Sequence, residues 1–256
     1  MKAVTRPMKV AVIGGTGLLG AKVVDRLRAR GHEAVAVAPG PDAYPLTGAG
    51  LRAALDGARV VVDVIGHPGA DAKEVLALCT AATRNVLAVA EAAGVSHHVA
   101  LSMVGVGRIP GDGWFRAKVA QEGLIRRSPV PHSIVRATQF FESTPDVADT
   151  ATEGRTVRVA PVPCQPVAVD DVAAELCRTV EGEPLDEPVE VAGPERFRLD
   201  QLVARALSAR DDPRLVVTDP YARYFGAPAR GRGLIPDAGR ARITPTRFES
   251  WLRLPH

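Results

Sequence analysis

Residues 9–31 read KVAVIGGTGLLGAKVVDRLRARG, and this stretch decides the fold. The segment 9–13 is a short, continuous apolar run that stops at glycines, the pattern of a strand buried on both faces of a parallel sheet. Beyond it, Leu19, Val23 and Leu27 recur at helical spacing, and Gly31 ends the helix. Between strand and helix, Gly14, Gly17 and Gly20 form a G-x-x-G-x-x-G loop. In that position each glycine has a task. Gly14 permits the tight turn, Gly17 lets the backbone approach a pyrophosphate, and Gly20 allows close packing of helix on strand. The helix start offers unpaired N–H groups to the phosphates. Thr16, Leu18 and Leu19 complete the set expected to hold a dinucleotide.

Outward from this unit the alternation continues. Strands are expected at 34–38, 60–65, 98–103 and 132–136, and helices at 71–93, 114–127 and near 139–150. Strand–helix alternation at this spacing predicts a doubly wound, parallel Rossmann-type α/β sheet. The dinucleotide-binding domain is expected over 1–155. Residues 156–256 are expected to form a smaller substrate lobe interleaved with the end of the sheet. This part is less regular, with a helix capped by Asp170 or Asp171, a strand at 188–192 and a helix at 199–209.

Composition closes off other classes. The chain has 256 residues, 46% hydrophobic and 24% charged, which is ordinary for a globular protein and excludes a disordered one. No run of 18 apolar residues occurs and no signal-peptide cleavage site follows the N-terminus, so the expectation is a cytoplasmic protein without a membrane partner. Three cysteines, Cys79, Cys164 and Cys177, lie far apart and give neither a disulfide framework nor a metal spacing. The net charge is +3, and residues 214–256 hold eight arginines against three acids. These arginines have no interleaved aromatics and no helical stripe, so they read as a solvated surface rather than a nucleic-acid site.

The cofactor's identity turns on the end of the second strand, Ala38-Pro39-Gly40-Pro41-Asp42. An acid at the strand end would take a ribose 2′-hydroxyl and a basic residue a 2′-phosphate. Neither stands there, and Asp42 follows two prolines; the reading favours NADP, with NAD open.

With these elements placed, the chain resembles the atypical short-chain dehydrogenase/reductase superfamily, and is most similar to its NmrA-like NAD(P)-binding branch. The segments that carry the resemblance are GGTGLLG at 14–20, TRN at 83–85, HHVALSMVGVGR at 97–108 and FRAKVAQEGLIRRS at 115–128. IVRATQFFES at 134–143, AVDDVA at 168–173, VAGPERFRLDQL at 191–202 and RYFGAP at 223–228 extend it over nearly the whole chain. The resemblance implies a strand-end Ser, here Ser102, and a helix Lys, here Lys118, that binds the nicotinamide ribose. It matches Asn85 to a helix Asn and places Gln139, Phe140 and Phe141 along the nicotinamide and substrate pocket. It also implies a Tyr four residues before the Lys as proton donor, and that position is Trp114. An indole N–H donates a hydrogen bond but not its proton.

Three functions follow from that departure. The first is an NAD(P)H-dependent reductase of a small conjugated or quinone-like carbonyl compound, with Trp114 stacked on the planar ring. The second is a redox-silent NAD(P)-binding regulator. The third is a non-redox isomerase or cyclase acting through His67 or Ser102. His67, just past strand 60–65, is placed where an imidazole would donate a proton near neutral pH, or else is an exposed loop histidine. In each case the expected partner is a small molecule. Tyr44, Tyr221 and Tyr224 are the chain's three tyrosines, the last two in the small lobe.

Overall fold

Strand β1 (Lys9–Ile13) divides its side chains between two helical layers. Val10 and Val12 face one core, with Val23, Val24 and Leu27 of helix α1 (Leu18–Ala29) and Val172, Leu176 and Cys177 of helix α6 (Val169–Val180). Ala11 and Ile13 face the other, with Leu51 and Leu55 of α2 (Ala49–Leu55) and Ala82, Val86 and Ala90 of α3 (Ala72–Ala92). All four strand residues are fully buried. Each large aliphatic removed from water contributes about 2 kcal/mol, so the sandwiched strand is the main anchor of the fold. The computed structural model describes residues 6–38, 49–66, 72–109, 113–185, 187–228, 231–237 and 239–254.

The central sheet adds β2 (Glu33–Val37), β3 (Val60–Asp63), β4 (His97–Met103) and β5 (His132–Ala137), then the strands Val189–Ala192 and Arg242–Ile243. These seven strands are all parallel. Their order is β2-β1-β3-β4-β5, followed by Val189–Ala192 and Arg242–Ile243. The chain therefore switches direction across the sheet between β1 and β3. At such a point the carboxyl ends of neighbouring strands splay apart and leave a crevice.

Several expected boundaries move for identifiable reasons. The strand expected over 60–65 ends at Asp63, whose Oδ1 accepts the Ile65 N–H at 3.1 Å and turns the chain. The helix expected near 139–150 starts only at Thr144, as α5 (Thr144–Thr150) with Pro145 in its first turn. Residues 139–141 instead run beside Val167, with Val167 N–H donating to Gln139 O and Phe141 N–H to Val167 O. Helix α2 was not expected, although Leu51 and Leu55 have the spacing of one helical face. Asp170 and Asp171 do not cap α6: the N-cap is Ala168, and the Val169 N–H donates to Glu142 Oε2 at 3.0 Å. The two aspartates sit in the first turn, where the helix dipole favours them. There Asp170 pairs with Lys22 and Arg26, and Asp171 accepts the Thr246 N–H.

Residues 156–256 interleave with the central sheet: α6 covers one of its faces, Val189–Ala192 is an interior strand and Arg242–Ile243 an edge strand. What gathers beyond it is a second core. Phe141, Val157 and Val159 pack there with Leu202 of α7 (Leu199–Ser208) and with Phe248 and Trp251 of α8 (Phe248–Leu252). Trp251 Nε1 donates to Glu142 Oε1 at 3.0 Å. Several arginines of the basic segment are spent on acids: Arg214 on Asp149 and Asp212, Arg242 on Glu175, and Arg247 on Glu195. Helix α3 holds a 19-residue stretch apolar enough to cross a bilayer, yet Val75, Cys79, Ala82, Val86 and Ala90 are buried within the protein. All three cysteines are free and buried, and no metal-binding cluster occurs among the described residues.

At the opposite end of the sheet, His97 and His98 are buried at the start of β4. Burial, with the charges of His98 and His132, pulls His97 down to about 4. Burial also lowers His98, against the pull of Asp63, and neither of its ring nitrogens has a hydrogen-bond partner. Above pH 6.5 both states are neutral and stability is complete. As pH falls from 6.5 toward 4, the unfolded chain takes up protons that the fold refuses, so stability drops. His97 alone accounts for on the order of 3 kcal/mol. Thermal melts between pH 7.5 and 4.5 should show Tm falling by roughly 6 °C or more; a flat profile would remove the histidines from the account.

Candidate active site

The glycine loop closes the end of β1. Gly14 adopts φ +81° and its N–H donates to Val37 O, tying β1 to β2. A Cβ on Gly15 would lie 2.7 Å from Val12 O, and one on Gly20 would lie 2.0 Å from Gly14 O. Helix α1 thus sits directly on the loop. Its N-cap, Gly17, makes no side-chain cap, and no acid occupies the first turn. The leading N–H groups of the helix accordingly point to the crevice with no intrahelical acceptor. Leu18, 58% exposed, offers an apolar shelf beside them. This arrangement fits the pyrophosphate of a dinucleotide by charge and by space. Gly14, Gly17, Leu18, Leu19 and Gly20 border the cleft, whereas Thr16 is exposed outside its lining. Asn85, half-buried on α3, also lies off the lining.

The cleft runs from this loop across the ends of β3, β4 and β5, with a volume of about 310 Å³. Its walls are Val64, Ile65 and Gly66 after β3, Leu101 to Met103 at the end of β4, and Trp114 and Lys118 of α4 (Trp114–Arg127). Thr138, Gln139 and Phe140 after β5 form a further wall, and Tyr224 and Phe225 of the smaller lobe complete it. Thr138 Oγ1 and Gln139 Oε1 are buried there without a hydrogen-bond partner. Unpartnered buried polar atoms are costly in a folded protein and suit a ligand that brings its own donors and acceptors, as a nicotinamide carboxamide does.

The positions of the expected proton relay are diverted. Lys118 is buried, and its ammonium donates to Ile65 O at 3.1 Å, Leu101 O at 2.9 Å and Gln121 Oε1 at 2.7 Å. All three of its hydrogens are used. Gln121 in turn donates to Asp63 Oδ2 at 3.0 Å. Burial lowers the Lys118 pKa, partly offset by Asp63, Cys79 and Glu122. Its Nζ also lies 4.8 Å from the centre of the Trp114 ring, a cation–π contact. The ribose-binding role implied for Lys118 would require it to release one of these partners. Ser102 Oγ donates to Glu122 Oε1 at 2.7 Å. Glu122 also receives both arms of Arg136 and one of Arg126. Burial pushes the Glu122 carboxyl up, but those hydrogen bonds and the charges of Arg136 and Arg126 outweigh it and hold it below the usual range.

Two further expectations change. Phe141 does not line the pocket; it is fully buried in the second core against Phe248 and Trp251, at ring separations of 5.2 and 5.4 Å. The cause is the extended run beside Val167, which sends Phe140 and Phe141 to opposite sides. His67, like Asp42 and Tyr44, lies outside the described residues. Sequence reasoning missed Gln121 and Glu122, which share a helix face with Lys118 by three- and four-residue spacing. It also left Tyr224 unassigned, and Phe225 unnoticed.

A prediction follows for Lys118. Lys118→Met should change the affinity for NADPH by less than about threefold, because no ammonium hydrogen is free for the cofactor, while lowering Tm through the unpaired carbonyls it leaves. Fluorescence titration checks this, and a tenfold loss of affinity would restore the lysine to the ribose.

The sequence matches the family model for NAD(P)H-binding proteins over residues 14–181, well over half of the chain. No curated protein matches. Among solved structures, dTDP-4-dehydrorhamnose reductase of Bacillus anthracis, in complex with NADP, is similar with a TM-score of 0.70 at 15% identity, covering 96% of this chain and 97% of that one. The Clostridium acetobutylicum dTDP-4-dehydrorhamnose reductase gives 0.68 at 13% identity, with 95% and 91% covered. The Bordetella bronchiseptica enzyme WbmG, in complex with NAD, gives 0.65 at 18% identity, with 87% and 84% covered. At these identities the likeness is one of fold.

Proposed function

The chain belongs to the NAD(P)H-binding family, and on that premise we propose that it is an NADPH-dependent reductase of a small, planar, conjugated carbonyl compound of quinone type. The observation that carries the reading is the commitment of the relay positions. The Ser102 hydroxyl donates its hydrogen bond to Glu122, Lys118 donates three to protein oxygens, and the Trp114 indole releases no proton. A simple ketone concentrates the charge of the incoming hydride on one oxygen and needs an acid at that wall. A conjugated ring spreads the charge, and the aromatic side chains of Trp114, Phe140 and Phe225 around the cleft suit such a ring. The preference for NADPH is supported by Val37 and Ala38, which end β2 without a carboxylate among the described residues there.

The test is direct. NADPH and NADH oxidation is followed by absorbance with naphthoquinones, cyclic enones and saturated ketones. Quinones and enones should turn over and ketones should not; ketones reduced as fast as quinones would overturn the reading. Tight cofactor binding with no oxidation by any acceptor would instead establish a redox-silent NAD(P)-binding regulator, the reading that the full occupation of Lys118 favours. An isomerase or cyclase acting through Ser102 would first have to break its bond to Glu122.

A further inference from the structure

The wall opposite α4 is a short hairpin in which Arg223–Tyr224 pairs with Ala227–Pro228. Its two-residue turn places Phe225 at φ +46° and Gly226 at φ +76°. Positive φ at both turn residues is what a tight hairpin of this length demands, and asparagine or glycine normally fills the first place. A bulky aromatic there is strained by about 1 kcal/mol or more, and such strain tends to persist where a site needs it. Here the strained residue lines the cleft. Beside it, Tyr224 is 4% exposed, lines the same cleft and packs edge-on to Phe225 at 4.8 Å. On its other side is Phe115, at 6.5 Å, the neighbour of Trp114 at the start of α4. Its hydroxyl is not among the fully enclosed unpartnered polar atoms of the described residues.

We propose that Tyr224 is the group that meets the acceptor's oxygen, hydrogen-bonding it and giving up the proton, while Phe225 covers the acceptor ring. This rests on the reductase reading for its proton step. The acceptor's conjugated carbon gains a hydride, with both electrons, from the dihydronicotinamide of NADPH, which leaves oxidised. The carbonyl π pair moves onto oxygen, the Tyr224 O–H bond breaks as the new O–H bond forms, and water returns a proton to the phenolate. Burial, with the Cys164 thiol nearby, raises the Tyr224 pKa; the hydroxyl is therefore a weaker acid than a free phenol and parts with its proton only as negative charge develops on the acceptor's oxygen. The proton enters from the smaller lobe rather than from α4, which suits a conjugated acceptor, whose oxygen lies away from the carbon that takes the hydride, and not a simple ketone, whose oxygen is on that carbon.

The experiment uses the full chain with Tyr224→Phe and Phe225→Gly. Naphthol binding to the NADP⁺-loaded protein is measured by fluorescence, and NADPH oxidation with a naphthoquinone and a cyclic enone is followed from pH 6 to 9. Tyr224→Phe should leave NADPH affinity within about twofold, weaken naphthol binding about tenfold, and slow enone reduction about a hundredfold. Its residual rate should fall about tenfold per pH unit as hydronium becomes the proton source, whereas the wild-type rate stays level. Phe225→Gly should weaken naphthol binding without lowering Tm. Equal naphthol affinity in wild type and Tyr224→Phe, or no naphthol binding by the wild type, would overturn the proposal. If the wild type oxidises NADPH with no acceptor but naphthol binding still depends on Tyr224, the reductase reading and its proton step fall and the oxygen-binding role stands.

Discussion

Gly20→Ala should leave a protein that folds poorly and scarcely binds its cofactor. The added methyl would sit 2.0 Å from Gly14 O, well inside van der Waals contact, and that obstacle is backbone rather than a movable side chain. Either α1 slides away from β1 or the loop reshapes. Sliding disturbs Val23, Val24 and Leu27, which bury the sheet face, and the cost lies near the top of the overpacking range, about 3 kcal/mol. Reshaping displaces Gly17 and the N–H groups behind it, and a hundredfold loss of NADPH affinity corresponds to about 2.7 kcal/mol. Calorimetric titration and urea unfolding together separate the two routes. An alanine variant with native Tm and native affinity would mean that the loop and helix are not in the contact described.

The second large effect should come from Glu122, which is almost fully buried. Glu122→Ala removes the acceptor for Ser102 and for two arms of Arg136, leaving a guanidinium half inside the protein without its counter-charge. Breaking one side of a buried ion pair costs about 3–5 kcal/mol. For a chain of this size that is a fall in Tm of roughly 10 °C. The variant also frees the Ser102 hydroxyl at the cleft wall, so any rise in ketone reduction would measure how far Glu122 had silenced it. A Tm within about 2 °C of wild type would show that the pair contributes nothing net.

The sheet was legible because its evidence is periodic. Four apolar residues, Val10–Ile13, before a glycine loop, followed by Leu19, Val23 and Leu27 at helical spacing, admit one arrangement, and the structure has it. The fate of Lys118 was not legible in the same way. Its position on α4 follows from spacing, but its acceptors Ile65 O and Leu101 O come from two other strands' ends, and periodicity reports burial without naming partners. Phe140 and Phe141 show the same limit. An alternating pair reads equally well as a helix start or an extended run, and only the hydrogen bonds to Val167 decide which ring meets the cleft. Tyr224 lies in a two-residue strand, too short for any pattern to announce it.

Glu142 joins two segments distant in sequence, accepting the first N–H of α6 on one oxygen and the Trp251 indole N–H on the other. Its neighbour Phe141 is wedged against Phe248 and Trp251, and the next residue back, Phe140, is a wall of the cleft. The last helix therefore works as a latch behind the pocket. Lifting it would release the strip 140–142 and slacken the ring-binding wall while leaving every cofactor contact in place. A fusion or truncation at residues 248–252 would accordingly act like an inhibitor of the substrate half alone, reached from the back of the molecule.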